Sequence, residues 1–191
     1  MRLFVAIVPP AAALAELHAA VDPLRLRAPE LRWTGTQSWH LTLAFLGEVQ
    51  EPIVPELSVR LERAARRHPP QPLAIAGGGA FPSVRKAQVL WAGFSADNRA
   101  LAALAASVAA GARRAGVPLR EEARTYRPHL TLARCRQAAD VSGLTQELSG
   151  FSGSPWVADS IRLVRSFLAG GPPRYEDVGS WPLVGYRRSR T

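Results

Sequence analysis

His-Leu-Thr-Leu-Ala at positions 40–44 returns residue for residue at 129–133. Ser38-Trp39 precedes the first copy and Arg127-Pro128 the second. Both copies alternate leucine with polar or small residues around a β-branched threonine, the pattern of a half-buried strand. Successive side chains in a strand point to opposite faces. The spacing therefore predicts His40, Thr42 and Ala44 on one face and Leu41, Leu43 and Phe45 on the other. His129, Thr131 and Ala133 repeat the arrangement, with Leu130 and Leu132 opposite. Imidazole and hydroxyl then lie about 7 Å apart along each polar face. A single His in a strand is more often packing than catalysis. Two of the four histidines, however, occupy matching places. A duplicated core requires the leucines to recur, but not the His and Thr behind them.

The flanking chain repeats as well. Leu3–Val8 reads as a buried strand rather than the apolar heart of a secretion signal, because Pro9-Pro10 stops it. A helix is predicted over 11–22, with Leu14, Leu17 and Val21 on one stripe and Pro23 ending it. A polar loop and Trp33 lead into the first motif strand, which Gly47 terminates. A second helix over about 52–67 turns Ile53, Leu57, Leu61 and Ala64 inward, with Arg63, Arg66, Arg67 and His68 as a solvated basic end. Leu73–Ile75 begins a strand that runs into Gly77-Gly78-Gly79. No Lys-Ser/Thr follows these glycines, so they read as a bulge or close approach rather than a phosphate loop. Val89–Phe94 is a strand. A helix over about 98–115 follows, with Leu101, Leu104 and Val108 inward and Gly116 past its end. The second motif strand, a helix at about 140–148 and a strand at 157–168 complete the second round.

Leu3 to Val89 is 86 residues, His40 to His129 is 89, and Leu73 to Ile161 is 88, so the order strand, helix, motif strand, helix, strand occurs twice with small drift. The expected fold is α+β: one bilobal domain over 1–191, pseudo-two-fold and duplicated, with repeats near 2–81 and 89–168. Two mainly antiparallel sheets would carry helices on their outer faces and enclose a central cleft. A last strand near 175–184 would pair back, leaving Arg187, Arg188 and Arg190 as a basic end.

A chain of 191 residues that is 47% hydrophobic and 20% charged can bury one sizeable core. It contains no apolar run of about 18 residues, so no membrane-spanning helix or membrane partner is expected. The single cysteine excludes an internal disulfide and fits a reducing, cytoplasmic setting. Twenty-four basic residues against 15 acidic leave a formal charge of +9. That excess favours polyanionic partners, nucleic acid above all. Lys86 is the sole lysine, so arginine-rich genome composition is a competing account.

Two opposed imidazoles suit general acid–base catalysis, because an unperturbed pKa near 6.5 allows both forms around neutrality. The threonine hydroxyls can donate to an anionic centre between them. A phosphate diester fits: its charge rewards donors and its cleavage needs one base and one acid. Neither motif has a neighbouring Cys, Asp or second His at ligand spacing, so no metal or cofactor is expected. Cys135, six residues beyond His129, would lie about 20 Å along an extended strand, too far for a Cys–His pair.

RLFVAIVPP at 2–10, HLTLAFLG at 40–47, GGGAFPS at 77–83, VLWAGF at 89–94, RPHLTLAR at 127–134 and YEDV at 175–178 together resemble the 2H phosphoesterase superfamily. Within it they are most similar to the RNA 2′,3′-cyclic phosphodiesterases, also called 2′-5′ RNA ligases. The resemblance implies metal-independent opening of an RNA terminal 2′,3′-cyclic phosphate to a 2′-phosphate by a monomer. It implies His40 as proton donor, His129 as proton acceptor, and Thr42 and Thr131 on the non-bridging oxygens; the repeat itself does not say which His does which. Arg134 occupies a position often basic in the family, yet ideal parity turns it away from His129, whereas Arg127 has the right parity. Either is a candidate phosphate ligand, since a bulge reverses such counts. Trp39 and Tyr126 are candidates for base stacking, with packing the competing role. The alternatives are 2′-5′ end-joining of RNA, cleavage of small cyclic nucleotides, and a non-catalytic RNA-binding module.

Overall fold

The computed structural model describes residues 1–119, 126–167 and 173–185; the basic stretch at Arg187, Arg188 and Arg190 lies outside the described residues. In chain order the elements are β1 (Arg2–Ile7), α1 (Ala11–Arg27), β2 (Arg32–Trp33), β3 (Leu41–Glu48), α2 (Val54–Ala65), β4 (Gln71–Phe81) and β5 (Ala87–Ser95). They continue with α3 (Asn98–Arg114), β6 (Leu130–Ala139), α4 (Ser142–Ser149), β7 (Trp156–Ala158), β8 (Ser160–Phe167) and β9 (Arg174–Pro182). The strands form two antiparallel sheets, ordered β3-β1-β8-β9 and β2-β6-β5-β4-β7. The α+β class is as expected, and the motif strands β3 and β6 fall in different sheets.

The repeats do not coincide with the sheets. The third strand of the first repeat, β4, pairs with β5 of the second. The third strand of the second repeat, β8, pairs with β1 of the first. Each motif strand therefore sits beside the opening strand of its own repeat, and that strand is completed by the other repeat. Exchange of this kind fuses the halves into one core. Leu3, Val5 and Ile7 of β1 share a buried cluster with Leu90, Leu130 and Leu132 of the second sheet and with Leu57, Leu101 and Leu104 of the helices. A small second cluster of Phe4, Ala6 and Val164, with Tyr175 against it, lies apart from that core. Its members alternate with the core residues of β1, so they occupy the opposite face of the first sheet.

Several boundaries differ from the sequence reading. Helix α1 runs through Pro23 to Arg27, because buried Leu24 continues the stripe of Leu17 and Val21 while Pro23 faces outward. Burying a leucine returns about 1.5–3 kcal/mol, comparable with the cost of about 3 kcal/mol for an interior proline. The strand expected over 157–168 is two, because β7 pairs with β4 while β8 pairs with β1, and Asp159 is where the chain changes sheets. Ahead of the first motif strand, Arg32 and Trp33 form β2, a short edge on β6. The three glycines are a bulge with close approaches, as read. Gly77 has φ +64°, and Cβ atoms on Gly78 and Gly79 would fall 2.7 Å from Leu148 and 2.3 Å from the Trp91 indole. Gly116, at φ +88°, closes α3: Val117 N–H donates to the Ala112 carbonyl and Gly116 N–H to that of Arg113.

Candidate active site

Each motif histidine stands one residue ahead of its strand. The His40 backbone N–H donates to the Ser38 carbonyl at 3.2 Å, and that carbonyl favours the protonated ring. The Arg127 carbonyl lies 2.7 Å from His129 Nδ1. A carbonyl only accepts, so Nδ1 of His129 carries the proton and the basic lone pair falls on Nε2. Aromatic rings wall both imidazoles. His40 stands edge-on to Phe4 at 5.1 Å and to Tyr175 at 4.6 Å between centroids. His129 stands edge-on to Phe81 at 5.0 Å and tilted to Trp91 at 6.3 Å. The Trp91 indole takes that place by lying over Gly79, where a side chain would collide with it.

Burial lowers the His40 pKa to about 4, against the opposing pull of the Ser38 carbonyl and the negative charge of Asp177. The ring is neutral in the free protein at pH 7. Asp177 itself pairs with Arg162 Nη1 at 2.6 Å.

The threonines and arginines are placed by bulges. Residues directly opposite in an antiparallel pair share a face. Thr42 lies opposite Ala6 and Thr131 opposite Trp91, both on the side away from the main core, as the alternation predicted. Neither threonine hydroxyl bonds to another described residue. One residue later each strand slips. Val5 pairs with Ala44 while Ala6 pairs with Thr42, and Leu90 pairs with Ala133 while Trp91 pairs with Thr131, so Leu43 and Leu132 are the extra residues. Ala44 and Ala133 thereby turn to the core side, opposite Val5 and Leu90, rather than staying with His and Thr. Phe45 does the reverse: it lies opposite Phe4, ring centroids 6.2 Å apart, and is exposed rather than in the core. Arg134 makes the same turn. It lies opposite Val89, which lies opposite Phe81, the ring against His129. The bulge returns Arg134 to the His129 face, which ideal parity denied it. Arg127 precedes β6 in irregular chain, where a period-two count does not apply; its carbonyl orients His129.

The two motifs are stitched together. The Thr34 hydroxyl shares its proton between the carbonyls of Thr131 and Leu132, at 2.7 and 2.9 Å, and accepts from Trp39 Nε1 at 3.0 Å. Thr34 N–H donates to the bulged Leu132 carbonyl at 2.8 Å, and Arg25 Nη2 holds the Thr34 carbonyl at 2.7 Å. From the other side, the Tyr126 hydroxyl donates to the Thr42 carbonyl at 3.0 Å. The main chain of each motif threonine is thus held by a hydroxyl from the segment leading into the other motif. Trp39 is buried, which leaves no open face for a base, and Tyr126 is half-buried. Burial drives the Tyr126 phenol well above its usual range, keeping it a neutral donor.

The family pattern described as LigT like Phosphoesterase matches residues 7–91 and 94–174, most of the chain. The chain belongs to that family. An RNA 2′,3′-cyclic phosphodiesterase of Thermus thermophilus is 32% identical to it over 97% of this chain and 91% of the relative. One of Escherichia coli is 29% identical over 88% and 96%. A crystal structure of a Thermus thermophilus protein superposes with TM-score 0.75 at 30% identity, covering 97% and 99% of the two chains. Escherichia coli LigT complexed with 3′-AMP superposes with TM-score 0.73 at 28% identity, covering 95% and 97%.

Other features of this LigT-like phosphoesterase fall outside the site. Burial, with the charge of Glu30, pushes the Cys135 thiol up and away from thiolate chemistry. A cavity of about 60 Å³ between α2 and α3, edged by Arg60, Arg63, Arg67 and Arg114, contains no motif residue. Among the described residues no three His, Cys, Asp or Glu converge at metal-ligand spacing, and no helix is long and apolar enough to cross a membrane. Thr34, Tyr175, Phe81 and Trp91 are not among the residues that the repeated motif singles out. The last three stand within the stretches that carry the resemblance; Thr34, in an apparent loop, gave no signal.

Proposed function

We propose that this protein hydrolyses the terminal 2′,3′-cyclic phosphate of RNA to a 2′-phosphate by paired-histidine acid–base catalysis without a metal. The observation that carries the reading is the matched pair of motif imidazoles, each walled by two aromatic rings, on strands stitched through Thr34. The relatives named RNA 2′,3′-cyclic phosphodiesterases support it. In this reading Thr42, Thr131 and Arg134 hold the non-bridging oxygens and take up the charge that builds in the transition state. His129 Nε2 takes a proton from water as its oxygen bonds to phosphorus. The bond from phosphorus to O3′ breaks, and His40 gives O3′ its proton. The product carries a 3′-hydroxyl and a 2′-phosphate. His40 is neutral in the free protein, so its proton arrives with the substrate, whose negative charge favours the imidazolium. His129 then releases the proton it took from water. The donor and acceptor roles are taken from the resemblance to the 2H phosphoesterases, and the Nδ1 contact of His129 with the Arg127 carbonyl is compatible with a base at Nε2.

The test is incubation of the protein with an oligonucleotide ending in a 2′,3′-cyclic phosphate, in excess chelator, with identification of the product end. A 2′-phosphate formed at a rate unchanged by chelator is expected. A 3′-phosphate, or a rate abolished by chelator and restored by one metal, refutes the mechanism. A 2′-5′-linked product from two RNA ends would instead assign end-joining, and turnover confined to mononucleotides would assign small cyclic nucleotides.

A further inference from the structure

Arg32 is the residue whose position the proposed reaction leaves unexplained. It lies directly opposite Arg134 in the β2–β6 pair. Opposite residues share a face, so Arg32 joins the row of Arg134, Val89 and Phe81 on the side where Phe81 meets His129. Like charges directly across an antiparallel pair are destabilising. Both arginines are exposed, and no described carboxylate comes within ion-pair distance of either to relieve the repulsion. Yet the pairing is held firmly. β2 is two residues long, and its neighbours are pinned by Trp33 Nε1 to the Ala28 carbonyl at 2.8 Å and by the bonds of Thr34. Two arginines rooted opposite each other on one exposed face can offer their guanidiniums to anions lying along it. β2 is the edge of its sheet, so Arg32 stands one strand, about 4.8 Å, outside Arg134.

We propose that Arg32, one strand out from Arg134, forms a second phosphate subsite that grips the phosphodiester linking the last two nucleotides of an RNA chain. This rests on the reading that the cyclic end sits between His40 and His129. Arg32 then makes the enzyme prefer oligonucleotide ends to cyclic mononucleotides, which have no such phosphate. It gives part of the net positive charge a definite task.

The experiment has two arms. Binding of a single-stranded oligonucleotide ending in a 2′-phosphate is measured by fluorescence anisotropy across salt concentrations for wild type, Arg32→Ala and Arg32→Lys. The KM for a cyclic-ended oligonucleotide and for a cyclic mononucleotide is measured for the same proteins. Arg32→Ala should weaken oligonucleotide binding about tenfold and lower the salt slope by about one, while Arg32→Lys keeps most of the slope. The KM of Arg32→Ala for the oligonucleotide should rise about tenfold, while that for the mononucleotide stays nearly unchanged. Equal rises for both substrates, or an unchanged salt slope, overturn the subsite. Should wild type open no cyclic end, the hydrolase reading fails, and the binding arm still decides Arg32.

Discussion

Burial of His40 against Phe4 and Tyr175 has a consequence for stability that pH exposes. The ring titrates near 4 in the folded protein and near 6.5 in the unfolded chain. Between those values the unfolded chain holds a proton that the folded protein lacks, so stability rises with pH across the window and is lost as pH falls. A gap of about 2.5 units at 1.36 kcal/mol each amounts to about 3 kcal/mol, nearly all lost between pH 6.5 and 4. The perturbation is His40→Gln, which keeps a polar side chain and removes the titration. Urea unfolding at intervals from pH 7 to pH 4 should show wild type losing about 3 kcal/mol more than the variant. Other groups share the descent, among them His68, whose pKa is also lowered by burial and by Arg67. They act in both proteins and cancel in the comparison. Parallel curves would mean that water reaches the imidazole as freely in the fold as out of it, refuting the walled site.

His40→Ala and His129→Ala should each lower turnover of a cyclic end by at least about 10² with little change in melting temperature. On a substrate whose O3′ leaving group needs no proton, His40→Ala should recover and His129→Ala should not; rescue of the other variant exchanges their roles. Thr34→Val leaves Trp39 Nε1 and the Thr131 carbonyl without their shared partner, and should cost about 1–3 kcal/mol in urea unfolding. A loss within error would show the stitch to be incidental. Leu41→Ala and Leu130→Ala, both at fully buried sites, should destabilise by about 2–5 kcal/mol through core cavities. Their residual turnover per folded molecule should stay near wild type, and selective loss of activity would mean that strand position, not packing, was disturbed.

Alternation and helical spacing identify elements well because both report burial, which is local in sequence. Leu57, Leu61 and Ala64 mark α2, and Leu101, Leu104 and Val108 mark α3, whatever lies beneath them. Pairing is not local. Nothing in 71–81 says that this strand leaves the sheet of β1 for that of β5, since its buried face is the same either way. The break at Asp159 is hidden for the same reason: β7 and β8 read as one strand until their partners are known. β2 is invisible because two residues carry no period. The YEDV tail is recognisable in the sequence, but not that Tyr175 reaches the His40 ring, a contact that depends on how the sheet curls.

The site shows where a parity count ends. Each motif strand slips by one residue after its threonine, and the inserted residues, Leu43 and Leu132, are followed by Ala44 and Ala133. Two adjacent apolar residues in a one-sided strand are what a bulge leaves, since both turn inward. Alanine is small enough to pass on the polar face, so the sequence raises no objection to strict alternation. Beyond the slip the duplicated strands differ in a way that matters chemically. Arg134 and Phe45 hold equivalent places, both restored to the histidine face, one cationic and the other an apolar ring that is 64% exposed. The two strands match in His and Thr and diverge immediately beyond them. On the proposed reading, the cationic side, Arg134 with Arg32 across from it, is the one an anionic RNA strand would follow, and Phe45 offers it no charge.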